Sequence, residues 1–200
     1  MPEILADGRR LILASASPFR RELLARLGLP FSTQASDIDE SHRPGEDAPT
    51  LVARLAELKA WTVARHEPGA LIIGSDQAAV LDGAIIGKPG DHDRAVAQLQ
   101  RASGRTVAFY TGLCLLDSAS SQRQTAVDVF RVMFRPLTPE MIESYLRRER
   151  PYQCAGSFKS EGLGIALFER LEGDDPTSLI GLPLIRLTRL LEAAGVAVLQ

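Results

Sequence analysis

The apolar positions change period along the chain, and each change predicts an element. Residues 11–15, LILAS, form a short apolar run of strand character. Ser17-Pro18 then marks a helix start, because Ser is a good N-cap and Pro fits the first helical position. Leu23, Leu24 and Leu27 supply that helix with an apolar face. A second helix over roughly 50–66 carries a stripe of Leu51, Val52, Leu55 and Leu58. LIIG reads as a buried strand that ends in the polar residues Ser75, Asp76 and Gln77, and ligands bind at such C-terminal strand ends in open α/β sheets. AAVL and AII flank Asp82-Gly83, a two-residue hairpin signal, and Pro89 stops the second arm just after Lys88, a geometry that returns Lys88 toward Asp76. Asp91 and Asp93 open a helix containing Ala95, Val96 and Leu99. RTVAFYTGLCLLD and TAVDVFRVMF read as two long strands paired around SASSQ. Thr138 and Pro139 start a further helix, and GLPLIRLTRLLEAAG supplies the last. Interleaved strands and helices with a long antiparallel hairpin predict an α/β class with a mixed sheet. Without a linker or internal repeat, residues 1–200 are expected to form one domain.

Composition narrows the partners. A hydrophobic content of 45% supports a substantial core, while a formal net charge of -2 argues against nucleic acid, which needs a broad basic face. MPEILADGRR lacks the apolar core of a signal peptide and no apolar run is long enough to span a bilayer, so a cytoplasmic protein is expected. Cys114 in GLCLL reads as core and Cys154 as a loop residue. Neither has CxxC spacing, which leaves no zinc site or disulfide framework to predict. His42, His66 and His92 are scattered among polar stretches as surface residues.

Two features point to a small phosphate-bearing ligand. Arg20 and Arg21 lie in the first turn of the first helix, where a cation costs about 0.3 to 1 kcal/mol against the macrodipole. A phosphate held by the helix start, by the hydroxyls of Ser15 and Ser17, and by the guanidinium groups would offset that cost. Secondly, of 23 basic residues only Lys59, Lys88 and Lys159 are lysine. A compact ammonium binds phosphate as a point charge, so these three are candidates for lining a polyphosphate cleft. GAIIGKP is not a P-loop. Three residues separate Gly83 from Gly87 where the P-loop has four, and Pro89 stands where a metal-binding Ser or Thr is required.

LASASPFRRELL, DIDE, ELKA, GSDQ, GKPG, FYTG, CAGSFKSEG and GLPL, in that order, resemble the motif series of the Maf-like nucleoside triphosphate pyrophosphatases over nearly the whole chain. SDQ and FKSEG look like the branch acting on 7-methyl-GTP. The branch preferring dTTP and UTP has Thr where this chain has Gln77 and Gln where it has Glu161. The resemblance implies a long twisted mixed β-sheet flanked by helices, similar to the inosine triphosphatases, with a cleft between two lobes. It also implies a homodimer and a divalent cation, Mg²⁺ or Mn²⁺. The implied reaction is attack of water on the α-phosphorus. Asp76 matches the family's proton acceptor, Glu40 at the end of DIDE is a metal ligand alone or with Asp76, and Phe19, Gln77 and Glu161 match specificity positions. Because family members are associated with arrest of cell division, a nucleotide-binding regulator with slow hydrolysis is the competing expectation, and a dTTP or UTP pyrophosphatase is another.

The base end also admits a physical reading. Guanine presents two adjacent donors that the carboxylate of Glu161 can accept as a pair. A methylated, cationic base gains further from the face of Phe19 through a contact worth about 0.5 to 2 kcal/mol.

Overall fold

The computed structural model describes residues 4–199, so residues 1–3, where the N-terminal stretch begins, and Gln200 lie outside it. In chain order the elements are β1 (Arg10–Leu13), α1 (Pro18–Ala25), β2 (Ser32–Thr33), α2 (Ala48–Ala64), β3 (Ala70–Leu81), β4 (Ala84–Ile86), α3 (His92–Ala102), β5 (Thr106–Asp117), β6 (Arg123–Phe134), α4 (Pro139–Glu149), β7 (Phe168–Glu172), α5 (Pro176–Ile180) and α6 (Leu184–Ala193). Local chemistry sets the starts. The side chains of Ser17, Asp47, Asp91, Thr138 and Asp175 each accept a backbone N–H at the head of a helix. Asp82 and Gly83 take φ of 52° and 78°, the left-handed pair that a tight hairpin turn demands. The pattern does not announce the short elements β2, β7 and α5, which are too brief to show a period.

The sheet is mixed, as expected, with order β2-β1-β3-β5-β6-β7. β1 runs parallel to β2 and β3, while β3, β5, β6 and β7 are successively antiparallel. One expectation is corrected: Ser75, Asp76 and Gln77 do not end a strand, because β3 continues unbroken to Leu81. They mark a split in the sheet instead. One edge of β3 is paired with β5 from Leu71 to Val80. The other edge is shared, with β1 along Ala70–Ile73 and β4 along Ala79–Leu81. Residues 74–78 therefore face the gap between two strands, just beyond the C-terminal end of β1.

Strand alternation assigns the faces. Ala70 and Ile72 pack with Ala56, Ala60 and Val63 of α2, whereas Leu71 and Ile73 pack with Leu23 and Leu24 of α1 and Leu187 and Leu191 of α6. α2 lies unusually close. A Cβ on Gly74 would fall 2.0 Å from the Ala56 carbonyl oxygen, and one on Gly112 2.1 Å from that of Val52. Cys114 is buried in this region as expected, and burial pushes its thiol up to about 11. His92 departs from expectation. His42 and His66 are exposed, but His92 is half-buried, sharing hydrogen bonds with the Tyr152 hydroxyl (3.1 Å) and Glu143 (3.0 Å).

Candidate active site

The gap opens into a cleft of about 570 Å³ lined by Ser15, Ser17, Phe19, Arg20, Glu40, Lys59, Asp76, Gln77, Lys88, Lys159 and Glu161, eleven of the twelve residues that the sequence singled out. Arg21 is the exception. It is exposed and does not line the cleft, its side chain being turned about 100° round the helix from that of Arg20. Its positive charge at the helix start is not explained by a ligand in the cleft.

The Ser15 hydroxyl accepts the Ser17 N–H at 3.1 Å and the Ser17 hydroxyl accepts the Arg20 N–H at 3.4 Å, so both hydroxyls are held at the start of α1. Arg20 donates Nε to the Gly181 carbonyl at 2.8 Å, and the same carbonyl accepts the Ser75 hydroxyl at 2.9 Å. That bond orients the guanidinium while sparing its two terminal nitrogens. Burial pushes Arg20 below its ordinary value, partly countered by the charges of Asp76 and Glu40, but an arginine remains cationic.

Asp76 faces α2, on the opposite side of the strand from Ser75 and Gln77. There the buried Lys59 places its ammonium 2.6 Å from Asp76 Oδ1 and 2.6 Å from Glu40 Oε1. Lys59 thus lies in the cleft as expected but is bonded to two carboxylates. Partial burial pushes the Glu40 carboxyl up, yet the hydrogen bond and charge of Lys59, with Lys88 and Arg20 beyond, outweigh it and hold the group below its ordinary value. Two carboxylates converging on one point offer the hard oxygen donors that Mg²⁺ or Mn²⁺ prefers. Among the described residues no group of three or more His, Cys, Asp or Glu side chains could hold a metal. The donor set fits a cation completed by phosphate oxygens and water, which is how Mg²⁺ is commonly held.

Gln77 Nε2 donates to the Thr111 hydroxyl (3.0 Å) and to the carbonyls of Ser178 (2.8 Å) and Leu179 (3.1 Å). Thr111 itself donates to Ser178 O at 2.8 Å. A flipped amide would set oxygen against two carbonyl oxygens, so the orientation is decided and Oε1 is left for the cleft as an acceptor. Glu161 is exposed and its contact is the Ser160 hydroxyl at 3.3 Å, while Lys159 turns to Glu149 at 3.4 Å. Glu161 and Lys159, two residues apart, thus take different partners. Phe19 lines this cleft from α1, and Phe109, Cys154 and Phe158 also contribute to its wall.

Sequence reasoning missed Thr111, Ser178, Gly181 and Asp175. The buried Asp175 caps α5 and accepts the Ile185 N–H at 2.7 Å, fixing the segment whose carbonyls hold Arg20, Ser75, Gln77 and Thr111. The signal available was Asp175-Pro176, an N-cap followed by a first-turn proline.

The placement of Lys88 in the cleft carries a prediction. Lys88→Arg replaces a compact ammonium by a planar fork and should impair the triphosphate turnover that the sequence resemblance implies, whereas Arg123→Lys, on a side chain 52% exposed beside Glu57, should be silent. Steady-state kinetics of both variants, compared with the unaltered protein, check this.

A family model described as Maf-like protein matches residues 10–194. The chain is 61% identical over 189 residues to the 7-methyl-GTP pyrophosphatase of Nitrosococcus oceani, covering 94% of this chain and 95% of the relative. It is 57% identical over 188 residues to the 7-methyl-GTP pyrophosphatase of Pseudomonas aeruginosa, covering 94% and 98% respectively. Among solved structures, the Staphylococcus aureus Ham1 protein aligns with a TM-score of 0.52 at 12% identity, over 92% of this chain and 98% of that one. At that identity the likeness speaks to the fold alone.

Proposed function

The chain belongs to the Maf-like protein family, and from that premise we propose that it hydrolyses 7-methyl-GTP to 7-methyl-GMP and pyrophosphate, removing a modified nucleotide before it reaches nucleic acid synthesis. The observation that carries the reading is one cleft that brings together the start of α1, the cations Arg20, Lys88 and Lys159, the carboxylates Glu40 and Asp76, and the acceptors Gln77 and Glu161 beside aromatic rings. Asp76 lines the same cleft, bonded through Oδ1 to Lys59.

In this reading Arg20, Lys88, Lys159 and the hydroxyls of Ser15 and Ser17 bind the triphosphate, whose roughly four negative charges otherwise repel a nucleophile. The second oxygen of Asp76 takes a proton from water as the water oxygen bonds to the α-phosphorus. The bond to the bridging oxygen breaks, and pyrophosphate departs with that electron pair. Asp76 and Glu40 are the residues that would hold Mg²⁺ or Mn²⁺. When bound, the cation supplies charge neutralisation at the phosphates. Lys59 fixes the relative placement of the two carboxylates. The protein so proposed works as a single domain on free nucleotides in the cytoplasm; its pairing into a homodimer rests on family resemblance.

At the base end, Glu161 and Gln77 Oε1 present only acceptors, which suits the donor edge of guanine, and the charge of an N7-methylated ring strengthens each bond. Competition kinetics on 7-methyl-GTP, GTP, dTTP and UTP should show the highest kcat/KM for the methylated nucleotide. Glu161→Gln should narrow its lead over GTP by about 1 to 3 kcal/mol, the scale of a hydrogen bond to a charged group. A preference for dTTP or UTP would remove the assignment. Turnover of none of the four would favour the nucleotide-binding regulator.

A further inference from the structure

Glu40 is carried by a stretch, residues 34–47, without helix or strand, so something outside it must decide where the carboxylate sits. Ile38 packs against Leu51, Val52 and Leu55, ahead of Glu40 in the chain. Beyond Glu40, besides the Asp47 cap on the Thr50 N–H, an α2 side chain grips the loop. Arg54 of α2 donates Nε to Glu46 Oε1 at 2.6 Å and Nη2 to Glu46 Oε2 at 2.7 Å. The same Nη2 donates to the Ser41 carbonyl, next to Glu40, at 3.1 Å. Glu46 also accepts the Arg43 N–H at 3.2 Å, and the guanidinium beside it holds its carboxyl down to about 2.

Neither Arg54 nor Glu46 lines the cleft. Their side chains are nevertheless only 18% and 5% exposed, and the bonding is bidentate, the arrangement in which a guanidinium defines geometry as well as charge. Glu40 itself is 57% exposed at the side chain, with Lys59 as its salt-bridge partner. An exposed single ion pair is a weak anchor for a loop. α2 therefore performs two tasks: it carries Lys59, and one turn earlier it grips the loop that brings Glu40 to that lysine.

We infer that Arg54 is a positioning residue of the hydrolytic site, which acts by clamping Ser41 and Glu46 so that Glu40 is held against Lys59 and the cleft. The inference rests on the reading of Glu40 as a site carboxylate, and its test separates the two. With Mn²⁺ and whichever of the four nucleotides the protein turns over fastest, Arg54→Ala is expected to raise the Mn²⁺ concentration for half-maximal rate and to lower kcat by about 10-fold or more, the usual cost of losing an outer support. Glu46→Gln should act in the same direction. Arg54→Lys should rescue only partly, because a point charge cannot span both carboxylate oxygens and a carbonyl. In a Glu40→Gln background, Arg54→Ala should cause no further loss. Additive losses, or an Arg54→Ala defect where Glu40→Gln has none, would show that Arg54 acts by another route and overturn the inference. Hydrogen exchange provides a readout independent of turnover: amides of residues 39–46 should exchange faster in Arg54→Ala while those of β3 and β5 keep their protection. Unchanged exchange at 39–46 overturns the clamp whatever the substrate proves to be. Should Arg54→Ala fail to fold, Glu46→Gln takes its place in the same double-mutant comparison.

Discussion

Asp76→Asn is expected to lower kcat by at least about two orders of magnitude, the scale of losing a general base or a metal-linked carboxylate. The substitution is close to isosteric. Its amide oxygen can still accept the Lys59 ammonium, now 2.6 Å from Oδ1, so α2 keeps its place against the sheet. What disappears is the second oxygen as a proton acceptor and one hard ligand. The change should thus fall on kcat, with nucleotide affinity and melting temperature little altered. Pre-steady-state turnover together with nucleotide titration separates these quantities. Near-normal kcat in a folded variant would remove Asp76 from the chemistry.

Gly112→Ala should have a large effect on stability. The added Cβ would lie 2.1 Å from the carbonyl oxygen of Val52, 2.5 Å from its carbon and 3.0 Å from the Ala53 nitrogen. All three are backbone atoms of α2, so no flexible side chain can give way and the helix itself must lift. Overpacking in a core costs about 1 to 3 kcal/mol and sometimes more, and a rigid neighbour places this case at the upper end. Gly112 is paired directly with Asp76 across the β5–β3 ladder. A raised α2 would consequently lengthen the Lys59–Asp76 contact and reduce turnover in the molecules that remain folded. Denaturant unfolding measures the first effect, and kcat per folded molecule the second. Gly87→Ala is the control, since nothing lies within 4 Å of a Cβ there and its φ is not in the left-handed region.

Much of the molecule is local and was therefore legible. Ser17-Pro18, Asp82-Gly83 and Thr138-Pro139 act through their own backbone, and the structure has α1, the β3–β4 turn and α4 where they predict. The apolar periods placed α2, α3, β5, β6 and α6 because burial of one face needs only a partner, whichever it is. The order of the polar motifs marked the candidate residues, and eleven of twelve share one cleft.

The sequence by itself determined which residues are polar inside apolar surroundings: Ser75, Asp76 and Gln77 in one strand, and Lys59 in one helix face. Tertiary structure alone decided what those residues do to each other. Nothing local in GSDQ distinguishes a strand end from a strand that runs on past a gap, since that depends on β1 and β4 sharing one edge of β3. Period-two alternation could then send Asp76 to Lys59 and Gln77 to the carbonyls of Ser178 and Leu179, more than 100 residues away in the chain. The adjacent arginines show the same division. Their spacing requires that they diverge, but only the position of Gly181 selects Arg20 for the cleft and leaves Arg21 in solvent. Side-chain type and local period belong to the chain, whereas the partner of a buried polar group is set by which distant backbone atoms the packed layers bring within hydrogen-bond reach.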